Sequence, residues 1–175
     1  FNDDALVTDI QVEGNVAPAS VTFDNSSKDF VLRGDSIIGD VILHKKGTGL
    51  LTVNSVNHLS KVNVNAGKLS VSNLANNQGT DWGALGNVNT RINLSDGATL
   101  ELGGGLITDQ VITISGGEAT IEVPKSNTAT LNKGILAGGS SSVLTKTGGG
   151  TLTLGAGNTF SKLVVNGGIL NASES

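Results

Sequence analysis

Cysteine is absent from this 175-residue chain, which excludes a disulfide framework and a thiolate metal site. The same absence suits a polypeptide exported unfolded through an oxidising compartment, where stray thiols would cross-link. Methionine is missing too, other strong helix formers are scarce, and there are only two prolines. Extended helices and a Pro-rich linker are therefore not expected. Charged residues make up 15%, against the roughly 25% of an average soluble domain. With a net charge of −4 and only Arg33 and Arg91 as arginines, nothing points to nucleic acid or an anionic membrane as partner. No apolar run approaches the ~18 residues of a membrane-spanning helix.

What fills the gap is Asn, Ser, Thr and 25 glycines. Short alternating runs dominate: Ile10/Val12, Leu51/Val53, Val62/Val64, Ile92/Leu94, Ile112/Ile114 and Leu152/Leu154 each flank one polar residue, and Leu163/Val165 continue the spacing around Val164. Period two sends one set of side chains inward and leaves the other in water, the pattern of a half-buried strand. Turns such as Gly103-Gly104-Gly105 and Gly138-Gly139-Ser140 separate the runs. Asn-Gly and Asp-Gly hairpin signals are rare, Asn166-Gly167 and Asp96-Gly97 being the clear cases, which argues against a sandwich of hairpins.

Residues 43–69 and 144–170 are two copies of one passage, 101 positions apart and free of gaps. Identical pairs include Leu43/Leu144, Lys45/Lys146, Gly47/Gly148, Gly49/Gly150, Asn57/Asn158, Ser60/Ser161, Lys61/Lys162, Asn65/Asn166 and Gly67/Gly168. Self-similarity at a fixed period marks a stacked-repeat architecture. With coils of about 20 residues the copies should lie about five coils apart, and the chain should form eight or nine coils rising ~4.8 Å each. Leu152, Leu154, Leu163, Val165 and Leu170 would fill the interior. Gly47/Gly148 and Gly49/Gly150 would sit at sharp turns, and Asn57/Asn158 and Asn65/Asn166 would bond neighbouring backbone there. Stacked Asn in adjacent coils would form amide ladders.

The second copy resembles the autotransporter-associated β-strand repeat of bacterial surface proteins. The likeness rests on Leu144-Thr145-Lys146, Gly148, Gly150, Leu152, Leu154, Asn158-Thr159-Phe160, Val165-Asn166, Gly168 and Leu170. The first copy departs from it at His44, His58 and Leu59. The resemblance implies an all-β fold, a right-handed parallel β-helix or solenoid, on an exported protein. It implies neither an enzyme activity nor a ligand. A single β-helical domain spanning 1–175, excised from a longer surface protein, is the expected organisation, with an extracellular or cell-surface location.

No catalytic, metal or cofactor site is expected. The glycine triplets lack a following Lys-Ser/Thr and open no helix, so they do not cradle phosphate. His44 and His58 become Thr145 and Thr159 in the second copy, which places both at outward, solvated positions. The best acidic constellation, Asp35 and Asp40 near Arg33, carries no calcium-loop motif. The least repetitive stretch, 76–87, holds the one Trp and reads as a loop leaving the regular coil. Loops on rigid scaffolds are where binding resides, so Trp82, Asp81, Gln78 and Asn77 are the candidate ligand-binding residues, with Trp82 stacking on a sugar. The competing structural reading has Trp82 covering an end or side of the core.

Three functions compete on these grounds: a non-enzymatic structural or adhesive β-helix, a carbohydrate-binding module, and a fragment of a polysaccharide lyase. Surface glycans and host or cell-surface proteins are the expected partners, together with end-to-end association of unpaired strand edges. Thermal melting tests the inward assignment directly. Leu154→Asp should unfold the domain, whereas Thr153→Asp should leave the melting temperature nearly unchanged; equal effects would overturn it.

Overall fold

Strands of three to six residues cannot build a sheet along the chain, so each finds its partners one turn away. The computed structural model, which describes residues 1–76 and 81–172, shows this in every ladder. The strands are β1 (Asp9–Val12), β2 (Ser20–Asp24), β3 (Phe30–Gly34), β4 (Val41–Lys46), β5 (Leu50–Val53) and β6 (Leu59–Val64). Next come β7 (Lys68–Val71), β8 (Arg91–Leu94), β9 (Ala98–Leu102), β10 (Gly105–Thr108), β11 (Ile112–Ile114) and β12 (Glu118–Glu122). The last are β13 (Thr128–Leu131), β14 (Ile135–Ala137), β15 (Val143–Thr147), β16 (Thr151–Leu154), β17 (Lys162–Val165) and β18 (Ile169–Ala172).

All pair in parallel, in three stacks that form the faces of a solenoid. The first face is β1-β3-β5-β7-β9-β12-β15-β17, the second β2-β4-β6-β8-β11-β14, and the third β10-β13-β16-β18. The fold class expected from alternation is thus found. The eight strands of the first face bound seven turns, fewer than the eight or nine expected. Coil length explains the difference: Thr52 pairs with Ser70 but Leu69 pairs with Leu100, because a long loop is inserted between β7 and β8. Seven rises of ~4.8 Å give a rod roughly 35 Å long.

The two copies do not stack in register. From Lys45 the ladder runs through Val64, Leu94 and Ile114 to Ala137 in four turns, and Lys146 lies one face further on, in β15. The first copy therefore alternates between the second and first faces, and the second copy between the first and third. Between them, from β9 to β15, each coil visits all three faces. The repeated passage encodes strand, turn, strand, turn, and that unit fits any two neighbouring faces.

Inside, aliphatic rows run along the axis. Phe30, Leu51, Leu69, Leu100 and Ile121 are in register and fully buried. Leu152 and Leu154 are buried as expected, with Thr153 between them half-exposed. Leu163 and Val165 continue inward rows, being paired with Leu144 and Lys146, yet they are 37% and 46% exposed. They belong to the last strand of their stack, and no described coil covers them.

The repeated lysines are the least expected feature of the interior. Lys45 occupies an inward row between Phe23 and Val64, and Lys146 one between Ile121 and Val165. Neither has any solvent-exposed surface. The aliphatic stem completes the row while the ammonium reaches the coil's edge. Lys45 Nζ donates to the carbonyls of Lys46 (2.7 Å) and Gly47 (2.8 Å). Lys146 Nζ donates to those of Thr147 (2.7 Å), Gly148 (2.9 Å) and, one coil on, Gly167 (3.1 Å). Gly47 and Gly148 hold φ of 69° and 75°, which turns their carbonyls onto the ammonium at little steric cost.

Burial lowers the Lys45 pKa to about 8, against a partial opposing pull from Asp24, Asp29 and Asp3; Lys146 is lowered for the same reason. An unfolded lysine keeps its proton up to about pH 10.4, so between pH 8 and 10.4 the unfolded chain binds more protons than the folded one. Stability should therefore rise with pH across that window and be lowest below it. Denaturant unfolding at pH 7.5 and pH 10 should show the rise, on the order of 3 kcal/mol at most. Lys45→Met should flatten it; an unchanged slope would place the titration elsewhere.

Candidate functional site

The inserted loop between β7 and β8 is clamped from both sides by buried amides. From the coil below, the Asn57 N–H donates to Gly83 O (3.0 Å) and its Nδ2 to Ala84 O (2.9 Å). From the coil above, Gln110 Nε2 donates to Leu85 O (3.1 Å), and Gln110 Oε1 accepts from the Ala75 N–H (3.3 Å). Thr108 Oγ1 donates to Ala75 O (2.6 Å). Leu85 is fully buried and Ala84 2% exposed, so the loop's base fills the side that a third-face strand occupies in later coils.

Asn57 does part of this work as a repeat residue. Its Oδ1 accepts from the Ile37 N–H (3.0 Å), and Asn158 Oδ1 likewise accepts from the Ile135 N–H (2.9 Å). The N–H groups of Asn65 and Asn166 both donate to the carbonyl of the repeated lysine below, at 2.8 Å. The turn roles expected of these asparagines are present.

Above the clamp stands Trp82. Its ring stacks on His58, with centroids 3.9 Å apart and planes 19° apart, and both residues are half-buried. A cavity of about 260 Å³ opens beside them, lined by polar groups that include Asp40, Ser60, Asn87, Asn89 and Thr90. It sits at the leading ends of β4, β6 and β8, on the rim of the second face. The expected fully solvated position of His58 is corrected by this stacking, which the Thr159 of the second copy cannot make. Asp81 is exposed. Asn77 and Gln78 lie outside the described residues.

The second face carries a hydrogen-bonded row. Asn93 Nδ2 donates to Asn63 Oδ1 (3.0 Å), and Asn63 Nδ2 approaches His44 Nδ1 (3.4 Å). This is an amide ladder of the expected kind, although built from Asn63 and Asn93 and extended by His44. Beside it in the next row, Lys61 is in register with Arg91, and both are exposed. Sequence reasoning passed over these two cations. The available signal was the duplicated Ser60-Lys61 and Ser161-Lys162; Ser60 is the extra residue of a bulge in β6, whereas Ser161 stands just before β17. Ser60 Oγ donates to Val41 O (3.2 Å) and Ser161 Oγ to Ser142 O (2.9 Å).

The acidic constellation does not assemble. Arg33 is engaged by Asp9 at 2.6 Å and by Gln11, holding the Asp9 carboxyl below its usual range. Asp35 instead accepts from the Gly14 N–H (2.8 Å). Asp40 stands apart, at the cavity beside Trp82. A cavity of about 650 Å³ is the open N-terminal end of the interior, lined by Ile10, Val12, Val21, Leu32 and Ile37.

No family model matches the chain, and no solved structure matches it. Among curated proteins, it is 34% identical over 124 residues to the adhesin BmaC autotransporter of Brucella suis biovar 1 (strain 1330), a match covering 69% of this chain. The resemblance to an autotransporter passenger segment holds. The chain spans about 4% of that relative's length, so the likeness concerns one short stretch of a far longer protein.

His58→Ala should leave the fold in place, costing about 1 kcal/mol for the lost ring contact. Trp82 is the only indole, so its emission should shift to the red as the stacked face opens to water. An unshifted spectrum would show that the His58 ring does not shield it.

Proposed function

We propose that this chain is a non-enzymatic segment of an extracellular bacterial surface protein, holding its form as a stacked rod and contributing to adhesion. The observation that carries the reading is the likeness to a stretch of an autotransporter adhesin, together with interior devices that are all spent on stacking coils. The Lys146 cage, the Asn57 and Asn158 clamps and the inward rows each join one coil to the next, and Lys45 closes the corner of its own coil. For the isolated segment, end-to-end association belongs to the same reading, because its N-terminal cavity and the exposed Leu163, Val165 and Ile169 present apolar surface to a second copy.

A second reading, carbohydrate binding on the same scaffold, is favoured by the half-buried Trp82 beside a polar cavity. Indole faces and adjacent hydrogen-bonding groups suit a sugar ring. Nothing in the arrangement of Arg33, Asp35 and Asp40 favours a lyase.

Display of residues 1–175 on an unrelated membrane anchor tests the first reading. Cells carrying the segment should be retained on host-cell or glycan-coated surfaces above cells carrying the anchor with Leu154→Asp. Equal retention at equal surface density would remove adhesion and leave a spacer.

A further inference from the structure

The two copies of the repeat act as an internal control for what is structural and what is not. Lysine cages, Asn clamps and a Ser hydroxyl donating to a carbonyl of the coil below occur in both. The residues peculiar to the first copy and its surroundings are His44, His58, Trp82 and Arg91, and all of them converge on the second face.

Two cations there also stand side by side. On the first face, Arg33 pairs with Asp9, and Lys68 bridges Glu101 (3.1 Å) and Glu122 (2.7 Å). On the second face the described residues give Lys61 and Arg91 no carboxylate within ion-pair distance. Instead they stand on adjacent coils as register partners, a like-charge juxtaposition that costs stability. The cause is local: Val41 pairs with Leu59 but Ile42 with Lys61, so Ser60 is an extra residue. The bulge leaves Ser60 and Lys61 both pointing out, as bulges do when they re-aim a side chain. In the second copy β17 begins at Lys162, which is in line with Val143 and Glu118, so an acid shares the row.

The cation pair adjoins the Trp82 cavity directly. Leu59 and Ser60 line the cavity immediately before Lys61, and Asn89 and Thr90 immediately before Arg91. On its other side lies the His44–Asn63–Asn93 ladder. We propose that this strip of the second face binds an acidic polysaccharide. One sugar ring takes the cavity beside Trp82, with Asp40 and Asn89 accepting from or donating to its hydroxyls. Lys61 and Arg91 together engage the carboxylate or sulfate of that residue or its neighbour, Arg91 through paired N–H groups. The ladder lies under the polymer as it crosses the coils. The proposal rests on the carbohydrate-binding reading and assigns its ligand class.

The test uses the intact 1–175 protein and three probes: heparin for sulfate, polygalacturonate for carboxylate, and dextran as a neutral polymer. At least one acidic probe should change Trp82 emission saturably, bind more weakly as salt rises, and outcompete dextran. Lys61→Glu with Arg91→Glu should weaken binding by roughly tenfold or more with the melting temperature kept, while Lys162→Glu, on the second copy, should leave binding unchanged. Response to only one acidic probe identifies the anionic group. Dextran binding as tightly as the acidic probes would overturn the acidic ligand and spare the sugar site. No saturable binding by any probe, or equal loss from Lys162→Glu, would overturn the proposal, and the retention of displayed cells would still decide the adhesive reading independently.

Discussion

Each coil of this molecule takes its backbone hydrogen-bond partners from the coils above and below it, and the rest of the structure follows from that dependence. A strand such as β16 has no partner within its own turn; it is satisfied by β13 on one side and β18 on the other. Corners are where such a ladder thins: the Lys46 and Thr147 carbonyls still accept from the Asn25 and Val123 N–H groups, whereas those of Gly47 and Gly148 turn onto the repeated lysine. Unpaired buried carbonyls are costly. Lys45 and Lys146 meet that need by sending an ammonium up through the core to the corner. They raise a second cost, the desolvation of a charge, visible as the lowered pKa of both. The arrangement appears twice, on different faces, and in each case beside glycines whose positive φ aims the carbonyls. Asn25 serves the same kind of corner by donating to Leu50 O (2.9 Å), without the charge.

The same dependence explains how a repeat can change faces. A passage of strand, caged corner, strand and Asn clamp asks only that two faces lie beneath it. Its Asn clamp needs one N–H on the third side, from Ile37 in the first copy and from Ile135 in the second. Nothing in the passage specifies which pair of faces that is. The switch is made by the insertion between β7 and β8, which packs Leu85 into the third side and gives Thr108 and Gln110 a base on which the third stack begins. Asn57 below and Gln110 above tie this irregular loop to the coils on either side of it.

Much of this was legible in the chain. Alternation at Leu152 and Leu154 named inward residues correctly, and the glycine and asparagine pairs marked real corners. Lys45 and Lys146 escaped because a charged residue in a strand ordinarily faces water; only its place in phase with Leu43 and Leu144 told otherwise. Leu163 and Val165 show the opposite limit. Their direction was readable, but burial is a property of what lies on top of them, which period-two alternation does not encode. At the candidate site, Trp82 was conspicuous as the only indole, whereas its partner His58 was read as solvated from Thr159 in the other copy. A difference between copies marks where the structural constraint has lapsed, and that is equally where a side chain is free to acquire another role.

Lys61 and Arg91 illustrate why that distinction matters for function. On the first face Lys68 shows the alternative, a cation held between Glu101 of the next coil and Glu122 of the one after. Two cations in register on neighbouring coils repel at the strand spacing, and a single substitution to Thr or Ser, the commonest outward residues here, would relieve them. Their persistence beside the Trp82 cavity is hard to attribute to stacking, since the second copy folds with Lys162 in an acid-containing row. An anionic ligand turns the repulsion into attraction, and a rigid ladder holds both cations at fixed spacing before it arrives, which lowers the ordering cost of binding. The rod that makes the molecule stable is thus also what would make a weakly charged surface selective.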